Sequence, residues 1–170
     1  MNAGRDGLIE PYIPALRRYA WALCRNGQDA DDLVQDCLVR ALGRWHLRRP
    51  EASLRAWLFT ILHNGFISTR RQAARRPQVE LPAEDERPTQ AGQEHALMLD
   101  EVAAALETLP DEQRAVLLLV GVEDLTYEEA ARVLDVPVGT VMSRLSRGRE
   151  RLRRAVENGR GGSVALRRVK

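Results

Sequence analysis

Aromatic side chains make up only 5% of this 170-residue chain, cysteine occurs twice, and no apolar run approaches the ~20 residues that would span a bilayer. Each scarcity excludes something. With 44% hydrophobic residues rich in Leu and Ala, few aromatics and few β-branched runs, the composition argues against a sheet protein and for an all-α one. Cys24, Cys37 and the scattered His46, His63 and His95 offer none of the paired spacings that zinc needs, so no metal or other cofactor is expected. Both cysteines fall on the apolar side of a predicted helix, where they read as small buried hydrophobes rather than redox sensors. The opening MNAGRDGLIEP lacks the apolar core of a signal peptide, and the expected location is the cytoplasm. A dominant charge sign is missing too: the net charge is only +2, so any basic surface must be a local patch.

The densest patch lies in TYEEAARVLDVPVGTVMSRLSRGRERLRR, from Thr126 to Arg154. Thr126 and Glu129 stand at capping-box spacing and predict a short helix on Ala130, Ala131, Val133 and Leu134. Asp135-Val136-Pro137 then forces a turn, and Pro137 suits the start of a second helix. In that helix Val141, Leu145, Gly148 and Leu152 share an inner face, leaving Ser143, Ser146, Arg147 and Arg154 opposite, with Met142 and Arg144 on the flanks. Six arginines stand against Glu150 alone between Val138 and Arg154. Small polar residues followed by arginines is the pattern of a DNA recognition helix, in which Arg144 and Arg147 could each fork onto a guanine edge.

Between Pro77 and His95 three prolines and five acidic residues occur with a single arginine, which reads as a linker between two helical units of about 65 residues each. Fully extended, those 19 residues reach about 60–70 Å, so the two units could sit far apart on a large partner. The first unit is expected to contain three helices: Leu8 to Arg25, Asp29 to about Trp45, and Leu54 to about Arg71. Asp29, Asp31, Asp32 and Asp36 crowd the first turns of the second. They suit the helix dipole, and they would equally form an acidic docking face for a basic protein surface. The loop His46–Ser53 and the polar side of the third helix, with Arg55, Thr60, His63, Asn64, Arg70 and Arg71, could grip single-stranded DNA.

Taken together, these motifs resemble the extracytoplasmic-function (ECF) sigma factors, the smallest members of the bacterial sigma-70 family. DADDLVQDCLVRAL (Asp29–Leu42) resembles the segment that docks on the clamp of RNA polymerase, and LRAWLFTILHNGFISTRR (Leu54–Arg71) the helix that recognises and opens the −10 element. LPDEQRAVLLLV, YEEAARVL and PVGTVMSRLSRGRERLR resemble the domain that reads the −35 element, and the last run is highly specific to the family. The resemblance implies an all-α fold of two small helical domains on a flexible linker, the second with a helix-turn-helix. Their bounds would be 8–76 and 96–156, around a linker at 77–95 and before a disordered basic tail at 157–170.

It also implies a division of labour among residues. Asp31, Asp32, Gln35 and Asp36 would meet the clamp of the largest polymerase subunit. His46, Arg48, Arg49, Ser53, Trp57, His63, Asn64, Arg70 and Arg71 would serve −10 recognition and melting, with an unstacked base captured by the His46–Ser53 loop near Asn64. Thr140, Met142, Ser143, Arg144, Ser146, Arg147 and Arg149 would read the −35 element. Many relatives carry a phenylalanine and a glycine in the capture loop where this chain has Arg48 and Pro50-Glu51, so the −10 preference is not carried over. The family has no catalytic centre, and the expected partners are core polymerase, promoter DNA and an anti-sigma protein, the free chain being a monomer with no membrane insertion. LLLVGVEDLTYEEAARVL further resembles members tied to general stress responses. The rival readings are a sigma-like decoy for an anti-sigma protein, a conventional helix-turn-helix regulator, and a DNA-cutting enzyme. The last would need a nucleophile or a metal-binding carboxylate cluster that the sequence does not supply.

Overall fold

The computed structural model describes residues 7–49, 53–75 and 101–166, with side chains as far as Asn158, and every regular element among them is helical. In the first unit a 3-10 turn at Glu10–Tyr12 leads into α1 (Ile13–Cys24), α2 (Gly27–Gly43), a second 3-10 turn at Trp45–Leu47, and α3 (Leu54–Ala74). Pro11 and Pro14 occupy first-turn positions, where a missing N–H costs no helical bond. Arg25 takes a left-handed conformation (φ 59°) that stops α1. Asn26 then caps α2, its Oδ1 accepting from the N–H groups of Gln28 and Asp29, so the helix begins two residues before the predicted Asp29. Ser53 caps α3 through the Ala56 N–H.

Leu16, Tyr19, Leu23, Val34, Leu58, Phe59 and Leu62 close the core of this unit, each buried Leu or Phe contributing about 1.5–3 kcal/mol. Tyr19 and Phe59 meet edge to face at 5.3 Å. Gly65 lets α3 approach α2 closely, since a Cβ there would stand 3.0 Å from Leu33 Cδ1. Cys37 is buried and its thiol lies 3.5 Å from the Leu58 carbonyl, while Cys24 is half-buried. Burial pushes the two thiols up to about 12 and about 11, leaving little thiolate for redox chemistry.

The second unit starts with a helical stretch at 101–107, followed by α4 (Asp111–Leu117), α5 (Tyr127–Leu134) and α6 (Val138–Leu166). Between α4 and α5 the chain widens into a π turn at Leu118–Val122, with the Glu123 N–H donating to the Leu118 carbonyl at 2.9 Å, and Asp124 is left-handed (φ 50°). The capping box is present as predicted: Thr126 Oγ1 accepts from the Glu129 N–H and the Glu129 carboxylate accepts from the Thr126 N–H. Asp135, left-handed at φ 53°, makes the turn into α6. Gly148 explains the tight contact of α6 with α4, because a Cβ would meet Leu117 Cδ1 at 3.0 Å and the Gln113 carbonyl at 3.4 Å.

Three findings differ from expectation. The backbone of α6 stays helical to Leu166, where a disordered tail is expected from 157; the helix is already nucleated and Arg153 bridges Glu150 and Glu157, and continuing it works against about 1 kcal/mol for each of the three glycines. The two units, free to separate on a linker, instead pack on each other through α3 and α5. His63, predicted on the polar side of α3, is buried, because α1 lies against that side with Tyr19. The linker at 77–95, loop positions 50–52 and residues 167–170 lie outside the described residues.

Candidate nucleic-acid interface

The left-handed turn at Asp135 and the inward stripe Val141–Leu145–Gly148 fix how α6 faces outward. Met142, Ser143, Ser146, Arg147 and Arg149 are all exposed on it, Thr140 is half-buried, and the Ser143 hydroxyl donates to the Thr140 carbonyl. Met142, at 53% exposure, lines a shallow cleft of ≈ 530 Å³ with Tyr127, Ser146 and Arg149. Arg144 differs from its neighbours: it is largely covered and pairs with Glu112 at 2.8 Å. The exposed arginines further along the helix are partly neutralised, since Glu150 accepts from both Arg153 and Arg154, which holds its carboxyl below the usual range.

In the first unit Trp57, Asn64 and Arg71 recur every seven residues along α3 and so share one side. Trp57 is half-buried, edge-on to Trp45 at 6.2 Å, and the Arg48 guanidinium stands 5.2 Å over the Trp45 ring. His46 and Arg49 are exposed beside them, and Ser53 is committed to its cap. The structure thus gathers an aromatic–cationic cluster where the capture loop meets α3. It does not gather the whole predicted set: Arg70 lies over Phe66 and pairs with Asp111 at 2.7 Å, away from that cluster.

His63 is withdrawn altogether, with Nδ1 3.0 Å from the Tyr19 hydroxyl. Burial, reinforced by the charge of Arg144, lowers its pKa to about 4, while burial raises that of Tyr19, so the contact joins a neutral imidazole to a neutral phenol. The folded state therefore binds fewer protons at His63 than the unfolded chain between pH 6.5 and 4. The stabilisation is fully present above pH 6.5 and falls as pH drops through that window, by about 2 kcal/mol at pH 5. Urea titrations at pH 7.5 and 5 should show this loss in the native chain and a smaller one in His63→Phe.

Asp31, Asp32, Gln35 and Asp36 are exposed on α2. Asp32, Gln35 and Asp36 continue at helical spacing to Val39, which is 65% exposed. That valine is a feature the sequence reading missed: a wide apolar stripe hides one apolar residue on the opposite face. The signal was available, because Val39 follows Gln35 by four positions and Asp36 by three.

A two-unit helical protein that offers a helix-turn-helix, an aromatic–cationic cluster and an acidic helix face is built for binding nucleic acid and protein. Comparison with known proteins gives the class. Residues 9–63 match the family model described as the Sigma2 domain of PhyR, and residues 99–152 match Sigma-70, region 4. The chain is similar to the ECF RNA polymerase sigma factor EcfG of Rhodopseudomonas palustris, at 43% identity over 87% of this chain and 82% of that protein. Among solved structures it resembles the sigma factor RpoE in complex with the anti-sigma factor NepR from Bartonella quintana, with a TM-score of 0.80 and 32% identity, covering 92% of this chain and 98% of that one. It shares the fold alone with the anti-anti-sigma factor PhyR of the same organism, at 16% identity and a TM-score of 0.56 over 85% of this chain and 47% of that one.

The chain belongs to the ECF RNA polymerase sigma factors. As a member it binds core RNA polymerase and directs promoter-specific initiation. No described helix is long and apolar enough to cross a membrane.

Proposed function

We propose that the chain works by binding alone, with α2 holding the polymerase clamp, the Trp45–Trp57 cluster and α3 engaging the −10 element, and α6 reading the −35 element. The observation that carries this division is the exposed Met142–Arg149 face of α6, held outward by a capped helix-turn-helix in a unit that matches sigma-70 region 4. On α2 the acidic residues give charge complementarity and Val39 supplies an apolar contact. Control by an anti-sigma protein belongs to the same proposal and is supported by the complex in which the similar RpoE was solved.

Arg147 is the favoured base reader. Arg144 would first have to give up Glu112, and it suits a phosphate or scaffold role better. Arg147→Ala is expected to lose about 1–3 kcal/mol at one base-pair position and to relax the preference there. Arg144→Ala should weaken binding about equally on every sequence. Affinities measured on −35 duplexes substituted one base pair at a time distinguish the two; a uniform loss for Arg147→Ala would remove it from base reading.

One observation favours a second reading. The first unit matches the family model described as the Sigma2 domain of PhyR, so the competing function is a sigma-like decoy that binds an anti-sigma protein without starting transcription. A decoy has no use for exposed arginines on a recognition helix, whereas Arg147 and Arg149 are both exposed. Initiation in a purified system separates the readings, because a decoy supports none.

A further inference from the structure

Glu123 is 1% exposed, yet both arginines that neutralise it come from the other unit. Its carboxylate accepts two bonds from Arg18 of α1, from Nε at 2.8 Å and Nη2 at 2.9 Å, and a third from Arg55 of α3 at 3.2 Å. The paired, nearly parallel bonds from Arg18 are the strong form of a guanidinium–carboxylate contact. Local backbone puts the carboxylate there: the π turn at Leu118–Val122 and the left-handed Asp124 fix Glu123 between two helices of its own unit, at the surface that meets the first. Two further polar contacts cross the same boundary, from Arg70 to Asp111 at 2.7 Å and from Arg25 to the Glu107 carbonyl at 2.5 Å. Beside them α5 packs on α3, and a cleft of ≈ 740 Å³ lies between the units, lined by Asn64, Arg71 and Arg75 on one side and Glu112, Val136 and Arg144 on the other.

This closed arrangement conflicts with reading a promoter. The −10 and −35 elements lie about 25 base pairs apart, or about 85 Å at ~3.4 Å per step. Units of about 65 residues have radii of gyration near ~11 Å, so two that touch cannot cover both elements at once. The segment 76–100 that joins them has enough residues to reach about 80–90 Å when extended. Closure also engages Arg70, one of the cations assigned to the −10 element.

We propose that Glu123 is a latch holding the free sigma factor closed, and that the Arg18–Glu123–Arg55 contact must open before both promoter elements can be engaged. The proposal goes beyond the promoter-reading function and is tested without DNA or polymerase. Small-angle X-ray scattering on the full chain should report a compact particle, and Arg18→Gln and Glu123→Gln should each enlarge its radius of gyration by roughly 5 Å or more while circular dichroism shows native helix content. Arg18 is 52% exposed on its side chain and belongs to no assigned binding site, so its variant decides the matter if Glu123→Gln loses helix. Folded variants as compact as the native chain would overturn the latch, as would a native chain that already scatters as two separated bodies. Loss of promoter recognition in other experiments would sink the functional assignment and leave this result standing.

Discussion

Changing Asp31, Asp32 and Asp36 together to lysine is expected to weaken binding to core polymerase about a thousandfold, which corresponds to about 4 kcal/mol. All three carboxylates face solvent on α2, and their intramolecular pairings are loose: Asp31 lies 3.9 Å from Arg17 and Asp36 lies 3.6 Å from Arg40. Exposed pairs of that kind stabilise the fold by only a few tenths of a kcal/mol to about 1 kcal/mol, so the variant should fold. Reversing three charges against a basic surface turns attraction into repulsion, which costs more than deletion would. Titration of labelled chain with core polymerase measures the loss, and unchanged affinity for a −35 duplex establishes that the second unit is intact. Val39→Ser, which removes the apolar contact and leaves the charge, should weaken the same binding more modestly. A triple variant that still bound core normally would move the docking face elsewhere.

The second large effect concerns stability. Arg114 is 1% exposed and donates to three carbonyls at the turn before α4, those of Leu106 at 2.8 Å, Glu107 at 3.2 Å and Leu109 at 2.6 Å, as well as to Asp111 at 3.1 Å. One guanidinium thus satisfies the open end of the helix at 101–107 and ties it to α4. Arg114→Leu would leave the Leu109 carbonyl without its donor and take one of two donors from the carbonyls of Leu106, which keeps the Leu109 N–H, and Glu107, which keeps Arg25, and is expected to destabilise the second unit by about 1–3 kcal/mol. Arg114→Lys should recover only part, since an ammonium lacks the planar fork that reaches three acceptors. Urea denaturation followed by circular dichroism checks both, and a loss below about 1 kcal/mol for the leucine variant would contradict the role.

Local chemistry was the legible part of this chain. Thr126 and Glu129 announced their capping box through spacing alone, Pro137 its helix start, and Gly148 its place in a buried stripe that proved to be a close helix crossing. These features depend on residues within about four positions of each other or on a single helical period, which a sequence displays directly. The acidic face of α2 and the exposed face of α6 were legible for the same reason. The expected start of α2 at Asp29 is two residues late, because Asn26-Gly27 reads as a turn, while in the structure the asparagine side chain caps the helix it precedes.

Long-range packing was not legible. Glu123 and Arg18 are 105 positions apart, and nothing local to GVEDLT says that its first carboxylate will be buried against another unit. His63 misled for a related reason: helical periodicity puts it beside the polar residues of α3, but α1 supplies Tyr19 on that side and α5 packs nearby, so a polar position became an interior one. Helical periodicity puts Arg144 on the flank of α6 and Arg147 on its outer face, but it does not show that Glu112 on another helix holds Arg144.

Promoter-specific initiation by a reconstituted holoenzyme tests the whole most directly. Purified chain added to core polymerase is predicted to start transcripts at a defined position on templates carrying its cognate −35 and −10 elements, with the product lost when either element is scrambled. A chain that binds an anti-sigma protein yet gives no initiation with active core on any template, including a library drawn from its own genome, would contradict the account.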